Sequence, residues 1–480
     1  MMTALALTLT SCNDYLDTVQ NKGNDEILTQ SSQVEALFAN SGIFNTPTAL
    51  NVAASDDYGM STDLFDMIGY LDENLINGMS WNIQDVPANQ YGDVVWESEY
   101  QKIFTANLIM GQIDEITDLT EANRTEYLAQ AHLLRATAMW NLVNTYCEPY
   151  SAETASGLGL PLKKTTSYEE DMTRATLQQT YDFILADLEE AAKHAAEALK
   201  CQDAQLEDYN NLGFKPADVS WNGEMQTVNY SALYRYGDNQ VANYKENYLS
   251  QYFKNQQLLI PSESLIELYD QDNDLRYKQF FNKYALWEQG VGGLGDDIVY
   301  NKFNERIQAG PTVPEMLLTE AEALARTGKW QEAMNYVNQL RQARFDKNAE
   351  DITLEADNQQ DAIEKILEER HREMPFIMRW FDIRRLAYNE TDFDDVTVER
   401  DFYEVSDNSV NDGVFAHYVL PVKSKRYAQP IVYTEITRSN NQIVQNEYDD
   451  NSVIVTKQEI DYGGDEGGED YGDEGNEDYE

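Results

Sequence analysis

Apolar residues recur every third or fourth position in long paired blocks, and this pattern limits the fold of the 480-residue chain more than any other property. From about Val94 to Ile116 the repeat runs through Trp96, Tyr100, Ile103, Phe104, Leu108 and Ile113. After a break at Asp118-Leu119-Thr120, a second run from about Glu121 to Tyr146 sets Tyr127, Ala131, Leu134, Ala138 and Leu142 on one face. Two long helices with so short a connection pack as an antiparallel hairpin. A third helix is predicted from Thr176, which forms a capping box with Gln179; its buried stripe reads Leu177, Tyr181, Ile184, Leu185 and Leu188.

Pro314 to Arg344 carries the clearest pair. Pro314 suits the first turn of a helix with Leu317, Leu318, Ala321, Leu324 and Ala325 on its apolar face. Gly328 breaks it, and Trp330, Ala333, Met334, Val337 and Leu340 stripe a second helix. The length and the glycine turn resemble a tetratricopeptide unit. A weaker helical pattern covers Gln359 to Ala387. The expected fold class is mainly α, a tetratricopeptide-like core of helical pairs with a long-loop, ligand-binding face. The Tyr-, Asn- and Gly-rich stretches at about 40–92 and 202–313 supply that face. Residues 451–480 are expected to form an acidic disordered tail, since from Glu459 onward there is little apolar surface to offset the entropy of ordering. A solubilising role fits that tail, with a weak cation sink as the alternative.

Charge removes whole classes of function. The formal net charge of −50 repels phosphate backbones and anionic headgroups, so nucleic acid is not an expected partner. The four histidines, His132, His194, His371 and His417, show no HxxH or HExxH spacing, which argues against a histidine-built zinc site. Gly290 to Gly295 fits GxGxxG, but Asp296 and Asp297 stand where a pyrophosphate would sit. Asp270-x-Asp272-x-Asp274 opens like an EF-hand loop, yet Leu275 replaces the required glycine and Phe281 the terminal glutamate. It reads as a surface turn, with a weak calcium site as the remaining cofactor option. No pair among the 85 acids is distinguished as a glycosidase dyad.

The start of the chain is short, apolar and ends in small residues. Leu9-Thr10-Ser11-Cys12 resembles a lipobox, which makes 1–11 a signal peptide and Cys12 the lipidated residue; a chance cysteine in a frayed terminus is the alternative. Cys147 and Cys201 form no disulfide framework, although they could pair in an oxidising envelope.

A series of segments in order resembles the SusD/RagB family of surface lipoproteins. Cys12-Asn-Asp-Tyr-Leu-Asp is similar to that family's mature start, and Trp96 to Asn107 to its tryptophan–tyrosine–isoleucine–alanine–asparagine helix. Leu133-Leu134-Arg135-Ala136, Gly159-Leu-Pro161-Leu162, Asp187-Leu188-Glu189 and Ser262 to Arg276 follow. Pro314 to Ala323 is similar to its repeat helix, and Glu369-Arg370-His371-Arg372-Glu373 with Arg379-Trp380-Phe381-Asp382-Ile383-Arg384-Arg385 to its signature. Gln445 to Tyr448 closes the match, so the SusD-like domain is placed at 12–450. Cys147-Glu-Pro-Tyr150 and Met374-Pro375-Phe376 depart from the pattern, and 202–250 lacks the alanine-rich helix pair found in many members.

The resemblance implies a helical body, lipid-anchored at the outer membrane and exposed at the cell surface. It further implies docking on a TonB-dependent outer-membrane transporter and binding of a nutrient, usually a glycan and in some members a peptide, without cleavage. Arg379, Trp380, Asp382 and Arg384 read as structural. Sugars stack on aromatic rings and present hydroxyls to amides and carboxylates, so loop aromatics are the candidate ligand contacts. These are Trp81 with Asn82, Trp287 and Trp221, with Tyr70, Tyr284 and Tyr300 weaker; Trp96, Trp140, Trp330 and Trp380 fall on helical stripes. A peptide-binding lipoprotein, a glycoside hydrolase and a helical-repeat scaffold for a protein partner are the alternatives.

Overall fold

Every predicted helical block except the one at Trp330 begins where a polar side chain takes up N–H groups that a first turn leaves open. The computed structural model describes residues 27–40, 45–47, 50–82, 93–198, 204–221, 224–233, 244–247, 252–254, 259–283, 298–303, 306–308, 310–449 and 453–460. Helix α1 (Ser31–Phe38) and strand β1 (Asn45–Pro47) precede α2 (Thr62–Ile68) and α3 (Glu73–Ser80). Helix α4 (Val94–Gln112) starts at Asp93, whose carboxylate accepts from the N–H groups of Val95 and Trp96 at 3.1 Å. Thr120 caps α5 (Glu121–Tyr146). At α6 (Leu177–Ala198) the predicted box is present: Gln179 N–H donates to Thr176 Oγ1 at 3.2 Å and Thr176 N–H to Gln179 Oε1 at 3.0 Å.

The three helices pack around Trp96, Ile103, Met139, Leu142, Tyr146, Leu177 and Ile184. The stripe expected on α6 is rotated, however. Leu185 and Leu188 are exposed, and the buried face runs Leu177, Thr180, Ile184, Asp187, Ala191. Asp187 turns inward because Arg135 of α5 grips it through Nε (2.8 Å) and Nη2 (2.7 Å), with His132 at 2.7 Å. Pairing a buried carboxylate outweighs covering two leucines, since an isolated buried charge costs far more than apolar exposure.

The stretch expected to be loop at 202–313 carries several elements. Strands β2 (Phe214–Trp221) and β3 (Glu224–Ser231) form an antiparallel hairpin, followed by β4 (Tyr252–Lys254), α7 (Glu263–Glu267), α8 (Leu275–Phe280), β5 (Phe281–Lys283), β6 (Ile298–Tyr300) and β7 (Arg306–Gln308). The helices here and at 62–80 are five to eight residues long, too short to show a period, but each has its cap: Ser61, Asp72, Ser262 and Asp274. The Asp270 motif is the expected turn. Asp270 accepts from the N–H groups of Asp272 and Asn273, and Asp274 caps α8 while gripping Arg276. The carboxylates of Asp270 and Asp274 are thus engaged within the turn and by Arg276.

Helices α9 (Val313–Arg326) and α10 (Trp330–Arg344) form the predicted pair, with Gly328 turning the chain at φ +88°. Leu318, Ala321, Ala325, Ala333, Val337 and Leu340 interlock, and α11 (Gln359–Glu373) adds Ala362, Ile363 and Ile366. The single weak helix expected to run on to Ala387 is two. Pro375 interrupts it, Phe376 adopts φ +65°, and α12 (Ile377–Leu386) resumes.

Strands β8 (Val398–Ser406) and β9 (Ser409–Leu420) turn through Asp407 and Asn408, both at positive φ, as a tight hairpin requires. Helix α13 (Tyr433–Arg438) leads to β10 (Ile454–Glu459), which pairs with Val414–Val419 and completes the sheet β10-β9-β8. The expectation of disorder from 451 is corrected: 454–459 is a strand, and 461–480 lies outside the described residues. Among the described residues no helix is long and apolar enough to cross a membrane. Cys147 is buried and unpaired, and Cys201 lies outside the described residues.

Candidate ligand-binding surfaces

The signature segment is buried and paired. Arg276 reaches Asp274 and Glu369 at 2.7 Å and Glu373 at 3.0 Å. Arg344 grips Glu373 through two nitrogens at 2.9 Å and Glu246 at 2.7 Å, and Arg341 meets Glu369 at 2.8 Å. A second chain runs Arg370–Asp382 (2.6 Å), Arg385–Asp382 (2.7 Å), Arg385–Glu322 (2.7 Å) and Arg326–Asp394 (2.7 Å). Burial opposes ionisation, but Arg344, Lys302 and Arg276 outweigh it and bring Glu373 to about 2; Arg370 and Arg385 do the same for Asp382. Carboxylates held ionised this way tie helices together and make poor general acids.

A second clamp closes over the helix break. Asp57 accepts from Phe376 N–H at 2.6 Å and lies 2.5 Å from His371 Nε2, while Arg379 holds Asp56 at 2.8 and 3.0 Å. Atoms of Asp56, Asp57 and His371 come within 4.8 Å of one another, as metal ligands would. They fit a cation poorly, because Arg379 engages both oxygens of Asp56 and Asp57 anchors the strained Phe376. Arg384 donates to the carbonyl of Cys147 at 2.6 Å, and Trp380 packs edge-on against Tyr427. These signature side chains are structural.

The candidate ligand contacts separate sharply. Trp81 is corrected: it is 3 % exposed, its Nε1–H donates to Ala54 O at 3.0 Å, and the Arg400 guanidinium lies 5.2 Å from its ring. Arg400 is drawn there by the carbonyls of Ala53, Ser55 and Met79, so the indole serves as core. Asn82 is half-buried and donates to Asn77 Oδ1 at 3.2 Å; Asn77 in turn donates to Asn408 Oδ1 at 2.6 Å, at the tip of the β8–β9 hairpin. Tyr70 is 72 % exposed on the turn between α2 and α3, just after Gly69 at φ +71°. Tyr300 is buried, 5.3 Å from both Phe281 and Phe376, and is likewise corrected from loop to core. Trp221 ends β2 opposite Glu224, and its side chain is outside the described residues. Tyr284, Trp287, the Gly290–Gly295 run and Cys12 also lie outside them.

Sequence reasoning missed Tyr168, 77 % exposed in a polar loop, although the loop-aromatic criterion applied there too. It also missed Asn408, which only the fold brings beside Asn77. An internal cavity of about 40 Å³ between Tyr300, Lys302, Glu315 and Glu373 is far below the roughly 300 Å³ or more of a small-molecule site. An open groove of about 590 Å³ lies between the loop before α6 and the first turns of that helix.

Residues 14–202 match a family described as starch-binding and associating with the outer membrane, and residues 313–448 match the SusD family. The chain belongs to the SusD/RagB family. The part of this SusD-like chain between the two matches holds the β2–β3 hairpin. Solved structures share the fold. A SusD superfamily protein from Bacteroides thetaiotaomicron is 15 % identical, with TM-score 0.59, covering 87 % of this chain and 100 % of that one. A SusD superfamily protein from Bacteroides vulgatus is 14 % identical, with TM-score 0.57 and coverage of 88 % and 100 %. A SusD-like carbohydrate binding protein from the same species is 16 % identical, with TM-score 0.53 and coverage of 86 % and 97 %. No curated protein matches the sequence.

Proposed function

We propose that this SusD-like protein captures a nutrient glycan at the cell surface, without cleaving it, and passes it to a TonB-dependent outer-membrane transporter. The observation that carries this reading is the family match at both ends of the chain, whose N-terminal part is described as starch-binding and associating with the outer membrane. A rigid, ion-paired helical core supports it, since binding groups on loops are positioned only as well as the scaffold beneath them. Lipid on Cys12 would tether the body. Trp287 and Tyr284 supply the stacking rings, with Tyr70 a further exposed ring and Asn82 a hydroxyl reader; Trp221 is held as a secondary contact. Calorimetry with a panel of neutral oligosaccharides is expected to give saturable binding, with no new reducing ends after long incubation. Trp287→Ala should lower affinity about ten-fold, roughly the worth of one stacked ring, while leaving the melting temperature unchanged. Binding of peptides in place of every glycan, or steady reducing-end release, would refute this function.

A further inference from the structure

Strand β10 (Ile454–Glu459) ends the sheet β10-β9-β8 and is bonded on one side only. The register decides which of its backbone groups this leaves open. Ile460 N–H donates to Gly413 O at 2.9 Å, which makes these two a hydrogen-bonded pair in the ladder that also holds Ile454 opposite Val419. Such pairs alternate in an antiparallel ladder, so Ile454, Thr456 and Gln458 turn their N–H and C=O groups to β9. Val455, Lys457 and Glu459 turn theirs outward, and among the described residues no hydrogen bond reaches those groups. All six side chains of the strand are exposed, so no part of the described structure covers it from above or below.

Folded chains guard such an edge with proline, a bulge or a free lysine, because open N–H and C=O groups recruit another strand. The β9–β10 register has no bulge, and Ile454-Val455-Thr456 is a β-branched run without proline. The one lysine, Lys457, is held by Glu404, which also accepts from Asn411 at 2.8 Å. Charge then selects the occupant. From Glu447 to Glu480 Lys457 is the sole basic residue, and the chain beyond Ile460 is composed of Asp, Glu, Gly, Tyr and Asn. A second copy would bring the same acids to the same edge, on chains of net charge −50 each, and is repelled. A strand that carries lysine or arginine at alternate positions meets opposite charge instead.

We infer that the free edge of β10 is a docking site for an extended, basic segment of a partner protein, which adds to the sheet as a fourth strand. Backbone bonds to Val455, Lys457 and Glu459 supply the affinity, and the acids that flank β10 in the sequence select a cationic partner. At about 3.3 Å per residue, the strand offers a docked length of roughly 20 Å. The inference does not depend on glycan binding.

The test titrates the full chain by calorimetry with three capped octapeptides: alternating Thr and Lys, alternating Thr and Glu, and the Thr/Lys peptide N-methylated at every residue. The last keeps the charge but has no backbone N–H to donate. The Thr/Lys peptide should bind saturably, and the other two at least about ten-fold more weakly. Val455→Pro removes an outward N–H without touching a bond to β9. It should weaken the Thr/Lys peptide about ten-fold at unchanged melting temperature. Deleting 461–480 should also weaken that peptide, by removing acids. No binding of the Thr/Lys peptide by wild type would overturn the site. Equal affinity for the methylated peptide, or unaltered affinity in Val455→Pro, would reduce any binding to surface charge and overturn strand docking. Tighter binding after the deletion would give the edge to the chain's own tail. A wild-type dimer in sedimentation that Val455→Pro dissociates would give it to a second copy, and either result overturns the proposed occupant.

Discussion

Replacing Glu373 by Gln keeps the shape of the most densely paired acid and removes its charge. Glu373 meets Arg344 at 2.9 Å through two bonds, Arg276 at 3.0 Å and Lys302 at 3.9 Å, all buried. Its carboxyl falls from the ordinary 4.5 to about 2 in the fold, because those cations outweigh the burial that opposes ionisation. That difference corresponds to about 3 kcal/mol, and removing one member of a buried ion pair costs a similar 3–5 kcal/mol. With an unfolding entropy of about 2 cal/mol/K per residue, a chain of this length should lose roughly 3–5 °C of Tm at pH 7. The sign is set by the depressed pKa. The carboxylate's contribution is complete above the unfolded value near 4.5 and is lost as pH falls toward about 2. Scanning calorimetry from pH 7 to 3 should therefore show the wild-type advantage over Glu373→Gln shrinking below about pH 4.5. A Tm within 1 °C of wild type at pH 7 (roughly the resolution of the measurement), or a gap that widens in acid, would refute the ion-pair account.

Two further substitutions separate core from site. Trp81→Ala should cost about 3–5 kcal/mol in urea unfolding, and glycan affinity of the folded fraction should hold; an affinity loss with unchanged stability would restore Trp81 as a ligand contact. Asp57→Ala removes the acceptor of Phe376 N–H and the partner of His371 and should cost about 1–3 kcal/mol, read from the urea midpoint, whereas a neutral result would mean that Phe376 needs no clamp.

The helical pairs α4–α5 and α9–α10, the box at Thr176 and the glycine turn at 328 were legible in the sequence. Their signals lie within three or four residues, or within one turn, of the structure they specify. The short helices at 62–80 and 263–280 had legible caps but too few residues for a period. The candidate site was legible only as a preference for aromatic loop residues, which admitted Tyr70 and Trp81 alike and passed over Tyr168. A ring's neighbours in sequence do not say whether its face meets water or a guanidinium.

What the chain determines by itself is a mainly helical body, its paired helices and, through an ordered set of motifs, its family. The tertiary structure decided the rotation of α6, set by Arg135 some 52 residues from Asp187, and the hold on the α11–α12 break, set by Asp57 319 residues from Phe376. It also buried Trp81 under Arg400 and drew 454–459 into a sheet. Each of these depends on a charge or a strand edge finding its partner across the fold. Buried polar groups must be satisfied wherever the partner lies, and local patterning carries no record of that distance.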